Sequence, residues 1–392
     1  MRETEDAPVS KKITLVATIS LLCFIIAMVP KPVYAASKSL YVIPDIRPPG
    51  VGSSISAYSV QSAPTYLVYQ GTRRVPIHGS GAVGLAIDSQ SGILFMTYEF
   101  SNIIQFVNAT TFADLGTAIV SGASDLAGIV YDHDKRLIYT VNRQSDRLFV
   151  HHWDSATYAL TLESQVNLTH SSRAYDIALD EINDILYVAD GEYSHKFDWY
   201  NTTTWAHLGT KTTTHAVIGI AIDAKNGFIY TSGAWYDYGL FKYDLATKKE
   251  IAVLNDADEK QAAVLDVAVD PDQNPSPVYI TTFWQNGHGT NGTYETYGSV
   301  DYKDVLAVFD SDLNELWRSG DIGNPTGITI PRGEVSYIGS GSISIEHLLI
   351  AILGLVACFA TFGVFISKRK KRVSIKQKSV AYVHAPVFFR KL

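Results

Sequence analysis

Gly-Leu-Ala-Ile-Asp at 84–88 decides the fold, because the chain repeats it. It returns as Gly-Ile-Val-Tyr-Asp at 128–132, Asp-Ile-Ala-Leu-Asp at 176–180 and Gly-Ile-Ala-Ile-Asp at 219–223. Two more copies follow, Asp-Val-Ala-Val-Asp at 266–270 and Gly-Ile-Thr-Ile-Pro at 327–331. The starts are 44, 48, 43, 47 and 61 residues apart. A period in the forties is that of a four-stranded supersecondary unit. The pentapeptide is small and almost wholly apolar, as suits a strand packed on both faces. The Asp that closes it reads as a turn former, accepting backbone amides two residues on.

The rest of each unit can be read outward from that strand. A second strand follows a polar turn, as in Ile93–Thr97, Leu137–Val141, Ile185–Ala189 and Phe228–Ser232. A third, alternating strand comes next: Ile103–Val107, Leu148–Trp153, Lys196–Tyr200, Leu240–Tyr243 and Val305–Phe309. A weaker fourth strand completes the unit. The fold class is therefore all-β, a six-bladed β-propeller, with seven blades as the alternative count. The first blade is expected to be split. Residues 327–331 supply its inner strand, and Leu40–Ile43, Ile55–Val60 and Thr65–Tyr69 supply the others. Closing the ring from both ends of the chain removes a free sheet edge. Glu334–Ile338 also has strand character; it either competes with Leu40–Ile43 or begins a stalk.

Leu137-Ile-Tyr-Thr-Val-Asn142 and Ile185-Leu-Tyr-Val-Ala-Asp190 resemble the repeats of Tyr-Val-Thr-Asn (YVTN) and NHL-type propellers, as does the inner-strand pentapeptide. The resemblance covers about 39–331 and implies the fold. It implies little about function, since such propellers include binding proteins and enzymes alike.

Charge and hydropathy set the expected topology. The net charge of −7 is unevenly spread: residues 348–392 carry nine Lys/Arg and no acid, which leaves −17 on residues 36–347. Such a middle excludes a nucleic-acid binder, which needs surplus Lys/Arg for phosphate. The two cysteines, Cys23 and Cys358, lie in hydrophobic segments, so disulfides and cysteine-ligated metals are excluded from the middle. Residues 1–35 have the layout of a secretory signal peptide: Lys11 and Lys12, an apolar run over 13–29, then Val33-Tyr34-Ala35. A propeller ectodomain over 36–339 and a short linker over 340–347 follow. Residues 348–366 form a charge-free run suited to one transmembrane helix. The basic cytoplasmic tail, 367–392, opens with Lys368–Arg372, which fixes the C-terminus inside and the propeller outside a cell membrane. The sequons at Asn108, Asn167, Asn201 and Asn291 are glycosylation candidates on that outer part.

No local stretch carries a catalytic motif. Gly79–Gly84 and Gly287–Gly292 match Gly-x-Gly-x-x-Gly but do not sit between a strand and a helix. Asp270–Asn274 imitates a calcium loop but lacks its glycine and its closing acid. The expected function is a non-enzymatic cell-surface module for adhesion, envelope assembly or ligand recognition, with the membrane and an extracellular protein or glycan as partners. Its candidate ligand-binding residues are aromatics in the second-to-third connections: Tyr193, Trp235, Tyr236, Tyr238, Trp284, His288, Tyr294 and Tyr297. The module needs no cofactor. The alternative is a metal-dependent lactonase or lyase with Zn or Ca at the propeller axis. His78, His170 and His215 precede inner strands and could converge there on Zn²⁺. Such a site would resemble that of the propeller lyase that completes peptide amidation.

Overall fold

The computed structural model describes residues 38–331 except 45–52, 77, 80, 172, 192–193, 234–238, 255–261, 285–304, 321 and 323–324. The expected signal, linker, transmembrane segment, tail and Glu334–Ile338 lie outside the described residues. Among the described residues no helix is long and apolar enough to cross a membrane.

The described chain is a ring of six antiparallel four-stranded sheets. The first blade holds β1 (Ser39–Pro44), β2 (Ser53–Val60) and β3 (Leu67–Val75). The second has β4 (Ala82–Asp88), β5 (Ile93–Tyr98), β6 (Ile103–Asn108) and β7 (Asp114–Ile119). The third has β8 (Leu126–Asp132), β9 (Leu137–Asn142), β10 (Arg147–Asp154) and β11 (Ala159–Asn167). The fourth has β12 (Asp176–Asp180), β13 (Ile185–Ala189), β14 (Lys196–Asn201) and β15 (His207–Thr212). The fifth has β16 (Gly219–Asp223), β17 (Phe228–Gly233), β18 (Gly239–Asp244) and β19 (Glu250–Leu254). The sixth has β20 (Ala262–Val269), β21 (Val278–Trp284), β22 (Leu306–Phe309) and β23 (Glu315–Arg318). The chain then returns as β24 (Pro325–Thr329), the inner strand of the first blade. Six is the blade count. Tyr41 pairs with Thr329, Val42 with Ile328 and Ile43 with Gly327, so Leu40–Ile43 takes the place beside the inner strand.

The core is six wedges, one between each pair of neighbouring blades. Alternation along a strand divides its side chains between two wedges. In β5, Leu94, Met96 and Tyr98 pack toward the first blade, while Ile93 and Phe95 pack toward the third. Phe95 meets Trp153 of β10 edge-on, with ring centroids 5.0 Å apart. Tyr139, Tyr187, Tyr230 and Tyr279 recur at the same place in their second strands and are fully buried. Burying each contributes roughly 1.5–3 kcal/mol.

The alternation of the third strands does not divide their side chains between core and solvent. Their polar residues are buried too: Gln105, His151, Asp198 and Lys242 are each at most 5% exposed. Gln105 accepts the Tyr98 hydroxyl and donates to Pro76 O and Asp114. The Lys242 ammonium lies 3.7 Å from the Phe228 ring centroid and donates to Ser311 O. Among the described residues it is the fourth strands that are half-exposed, as β15 and β19 show.

The inner strands touch with no room to spare. A Cβ on Gly128 would lie 2.6 Å from the Asp176 Cα, and one on Gly84 would lie 2.5 Å from Ala127 O. Gly128 N–H donates to Tyr175 O at 2.8 Å, so adjacent blades are joined backbone to backbone at this level. The aspartates at the far ends of the inner strands cap their turns as expected. Asp180, for instance, accepts the amides of Ile182 and Asn183. Gly128→Ala should therefore force the third and fourth blades apart and lower stability by about 1–3 kcal/mol. A denaturation midpoint equal to that of the wild type would refute this close approach.

Candidate functional site

The ring has two unlike faces. Connections from fourth to first strands and from second to third strands share one, the loop face. The first-to-second and third-to-fourth turns share the other, the turn face.

A buried charge cluster sits on the loop face, beside the axis. Arg143 follows β9, and Asp125 precedes β8. Arg143 Nε donates to Asp125 Oδ2 at 3.0 Å and Nη2 to Asp125 Oδ1 at 3.1 Å. Its Nη1 donates to Glu99 Oε1 of the second blade at 3.0 Å. All three side chains are buried. Burial alone would lower the Arg143 pKa, but Tyr175, Asp125 and Glu99 outweigh it, so the guanidinium is held charged. The guanidinium lies 5.0 Å from the Tyr175 ring and 5.7 Å from the Phe100 ring, within cation–π reach. Asp125 also accepts the Phe100 amide at 2.8 Å, which holds Phe100 at a positive φ of 55° with its side chain 67% exposed. Phe100 is thus an aromatic presented to solvent from a rigid base. It was absent from the sequence-based candidates because Glu99-Phe100 looks like an ordinary turn. The available signal was its place in a second-to-third connection, the same place as Tyr193 and Trp235.

Most of the expected aromatic site lies outside the described residues: Tyr193, Trp235, Tyr236, Tyr238, His288, Tyr294 and Tyr297. Trp284, expected in the long connection, is instead the last residue of β21, where its backbone pairs with Ala262.

The inner strands line an axial cavity of about 130 Å³. Two carboxyls open onto it. Asp176 opens the inner strand of the fourth blade and Asp266 lies within that of the sixth, on either side of Gly219. Asp176 Oδ2 accepts Ile220 N–H, and Asp266 Oδ2 accepts Ile328 N–H, each at 2.9 Å. Each carboxyl therefore ties its blade to the next one round the ring, and Asp266 does so at the closing strand. Protein surrounds both, and burial pushes both pKa values up; for Asp266 the charge of Asp176 raises it further.

The three histidines have separate surroundings. His78 bonds Asp114 of β7 at 2.8 Å. His170 stacks on His207 of β15, with ring centroids 3.8 Å apart. His215 is buried against Phe241 of β18 at 3.3 Å and shares a 3.1 Å hydrogen bond with Thr231. Burial pushes the His215 pKa down to about 3. The structure does not bring the three together. Among the described residues no group of three or more His, Cys, Asp or Glu is placed to hold a metal ion.

Of the sequons, Asn167 is exposed at the end of β11. Asn108 and Asn201 each use Oδ1 to accept two turn amides, those of Thr110 and Thr111 and of Thr203 and Thr204. Asn291 lies outside the described residues.

No protein-family profile matches the sequence, and no curated protein matches it. Solved structures resemble it in fold. One is a chain of a nidogen/laminin complex, with TM-score 0.54 and 16% identity over 74% of this chain and 98% of that one. Another is a protein of unknown function from Bacteroides caccae, with TM-score 0.54 and 12% identity over 76% of this chain and all of that one. At such identities the likeness establishes the propeller architecture and nothing finer.

Two outcomes are expected of the charged groups. Arg143→Met strands two buried carboxylates and should cost about 3–5 kcal/mol of stability; a loss well below 1 kcal/mol in a denaturant titration would contradict the cluster. The axial carboxyls act through pH. Their raised pKa values make the folded state bind protons more tightly than the unfolded chain. Their contribution is therefore fullest below the unfolded carboxylate value of about 3.9 and is lost as pH rises through the folded values. Asp266→Asn keeps an acceptor for Ile328 but removes one titration. Its melting temperature should rise relative to the wild type as pH goes from about 4 to about 8. Parallel melting curves against pH would rule the coupling out.

Proposed function

We propose that this protein is a recognition module held at a cell surface by a C-terminal membrane anchor, with the loop face as its binding surface. In this reading residues 1–35 are a signal peptide, 348–366 span the membrane, and 367–392 are cytoplasmic. The propeller carries N-linked glycans, with exposed Asn167 the best-placed acceptor. The observation that carries the reading is the difference between the two faces. Phe100 stands exposed over a buried Arg143–Asp125–Glu99 base on the loop face, and the described chain ends at Pro331 on the turn face. The aromatics of the second-to-third connections add contact area suited to a sugar or a protein surface.

The nidogen/laminin complex is compatible with this reading, since a propeller of similar fold there forms part of a protein complex. The ligand class proposed here is a glycan or an extracellular protein, with adhesion or envelope assembly as the outcome of binding.

Protease added to intact cells should digest the propeller repeats and spare a tail epitope beyond Arg372. Protected repeats would end the surface assignment. On an array of glycans and envelope proteins, Trp235→Ala combined with Trp284→Ala should weaken binding by about tenfold or more. Unchanged binding by that double variant would move the contact site elsewhere.

A further inference from the structure

The turn face carries a constellation that no local motif records. Ser89, His133 and Glu181 each follow the turn aspartate of an inner strand, namely Asp88, Asp132 and Asp180. They belong to the second, third and fourth blades, so the ring sets them side by side around the axis. Ser89 Oγ lies 2.9 Å from His133 Nε2. His133 Nδ1 lies 3.4 Å from Glu181 Oε1, which also faces the His133 amide at 3.4 Å. Tyr131 supports the imidazole edge-on, with ring centroids 4.9 Å apart. All three side chains are half-buried, so a substrate can reach them while bulk water is partly excluded.

The geometry points to a serine esterase site, with Ser89 as nucleophile, His133 as general base and Glu181 as the positioning carboxylate. The two ring nitrogens have the division of labour that nucleophile activation needs: Nε2 toward the hydroxyl, Nδ1 toward an acid that fixes the tautomer. The longer Nδ1 contact is normal for a site without substrate. Substrate class follows from the surroundings. His133 lines the axial cavity, whose 130 Å³ or so admits a short acyl chain between residues such as Ala86, Ile87 and Ala178. The nearby turn amides of Gln90 and Ser91 are already given to Asp88, so they are not offered to an oxyanion. The site therefore suits short-chain esters with a good leaving group and not amides.

The reaction balances without a cofactor. Ser89 Oγ bonds to the ester carbonyl carbon as His133 Nε2 takes the hydroxyl proton. The carbon–oxygen bond to the alcohol then breaks, and the leaving oxygen keeps the electron pair and takes the proton from His133. Water next gives a proton to His133 and bonds to the acyl carbon. Ser89 Oγ leaves with its electron pair and recovers the proton. The net change is ester plus water to acid plus alcohol, with nothing oxidised or reduced.

The test is hydrolysis of p-nitrophenyl acetate by the full-length protein, with peptide mass spectrometry of samples quenched early. Release of p-nitrophenol should exceed the buffer rate by about 100-fold. Acetyl should appear on the peptide holding Ser89. Ser89→Ala and His133→Gln should return the rate to background with unchanged circular dichroism. Glu181→Gln should lower kcat by at least about tenfold while leaving KM unchanged, a split that a loosened blade would not produce. The early-quench measurement uses the unaltered protein, so it decides the matter even if a variant fails to fold. No rate above buffer, acetyl found only on lysines or tyrosines, or full activity in Ser89→Ala would each overturn the proposal. In those cases the three side chains are a strut between blades.

Discussion

Everything in this molecule depends on one strand pairing, that of β24 with β1. Each wedge of core needs a blade on both sides, and a row of six blades with open ends would lose one of the six wedges and expose both of its faces. The pairing of Val42 with Ile328 and of Ile43 with Gly327 converts the row into a ring. It also brings Leu40, Val42 and Ile328 into the wedge shared with the sixth blade. Lys38 completes the seam by reaching Asp270 and Asp272 of that blade, both at 2.5 Å. Local sheet formation could proceed without this seam, but a closed set of six cores could not.

Closure sets the chemistry of the axis as well. Where the inner strands approach most closely, Gly84, Gly128, Gly219 and Gly327 leave no room for a Cβ. The two aspartates tolerated there are engaged with backbone amides of neighbouring blades. The cost of burying them shows in their raised pKa values. On the loop face the same crowding brings Glu99, Asp125, Arg143 and Tyr175, from three blades, around a single guanidinium. On the turn face it places the residues after three successive turn aspartates next to one another.

The fold was legible in the sequence because it is periodic. Pentapeptides spaced by 44, 48, 43 and 47 residues carry the blade count, and the last copy, after a gap of 61, carries the split first blade. The turn role of Asp180 and its counterparts was legible because the hydrogen bonds are local. The polar residues of the third strands were not: Gln105 and Asp198 look solvent-facing in a linear pattern and are buried by neighbours from elsewhere in the chain. Sites built between blades were hidden for the same reason. His78, His170 and His215 all precede inner strands, yet each has its own partner, Asp114, His207 and Phe241 respectively. Ser89, His133 and Glu181 are 44 and 48 residues apart, and only the ring makes them neighbours. Nothing local in Glu99-Phe100 reveals the Asp125–Arg143 base that supports Phe100.

The seam has a mechanical side. β24 enters at the loop face and leaves at the turn face, antiparallel to β1. Tension between a ligand on the loop face and the chain beyond Thr329 would run along these strands. It would load the paired backbone hydrogen bonds in shear, all sharing the force. Tension applied at Ser39 and at Thr329, which lie at the same end of this strand pair, would peel the same bonds apart in succession. The molecule is thus stiff along its axis and comparatively easy to unzip at its join.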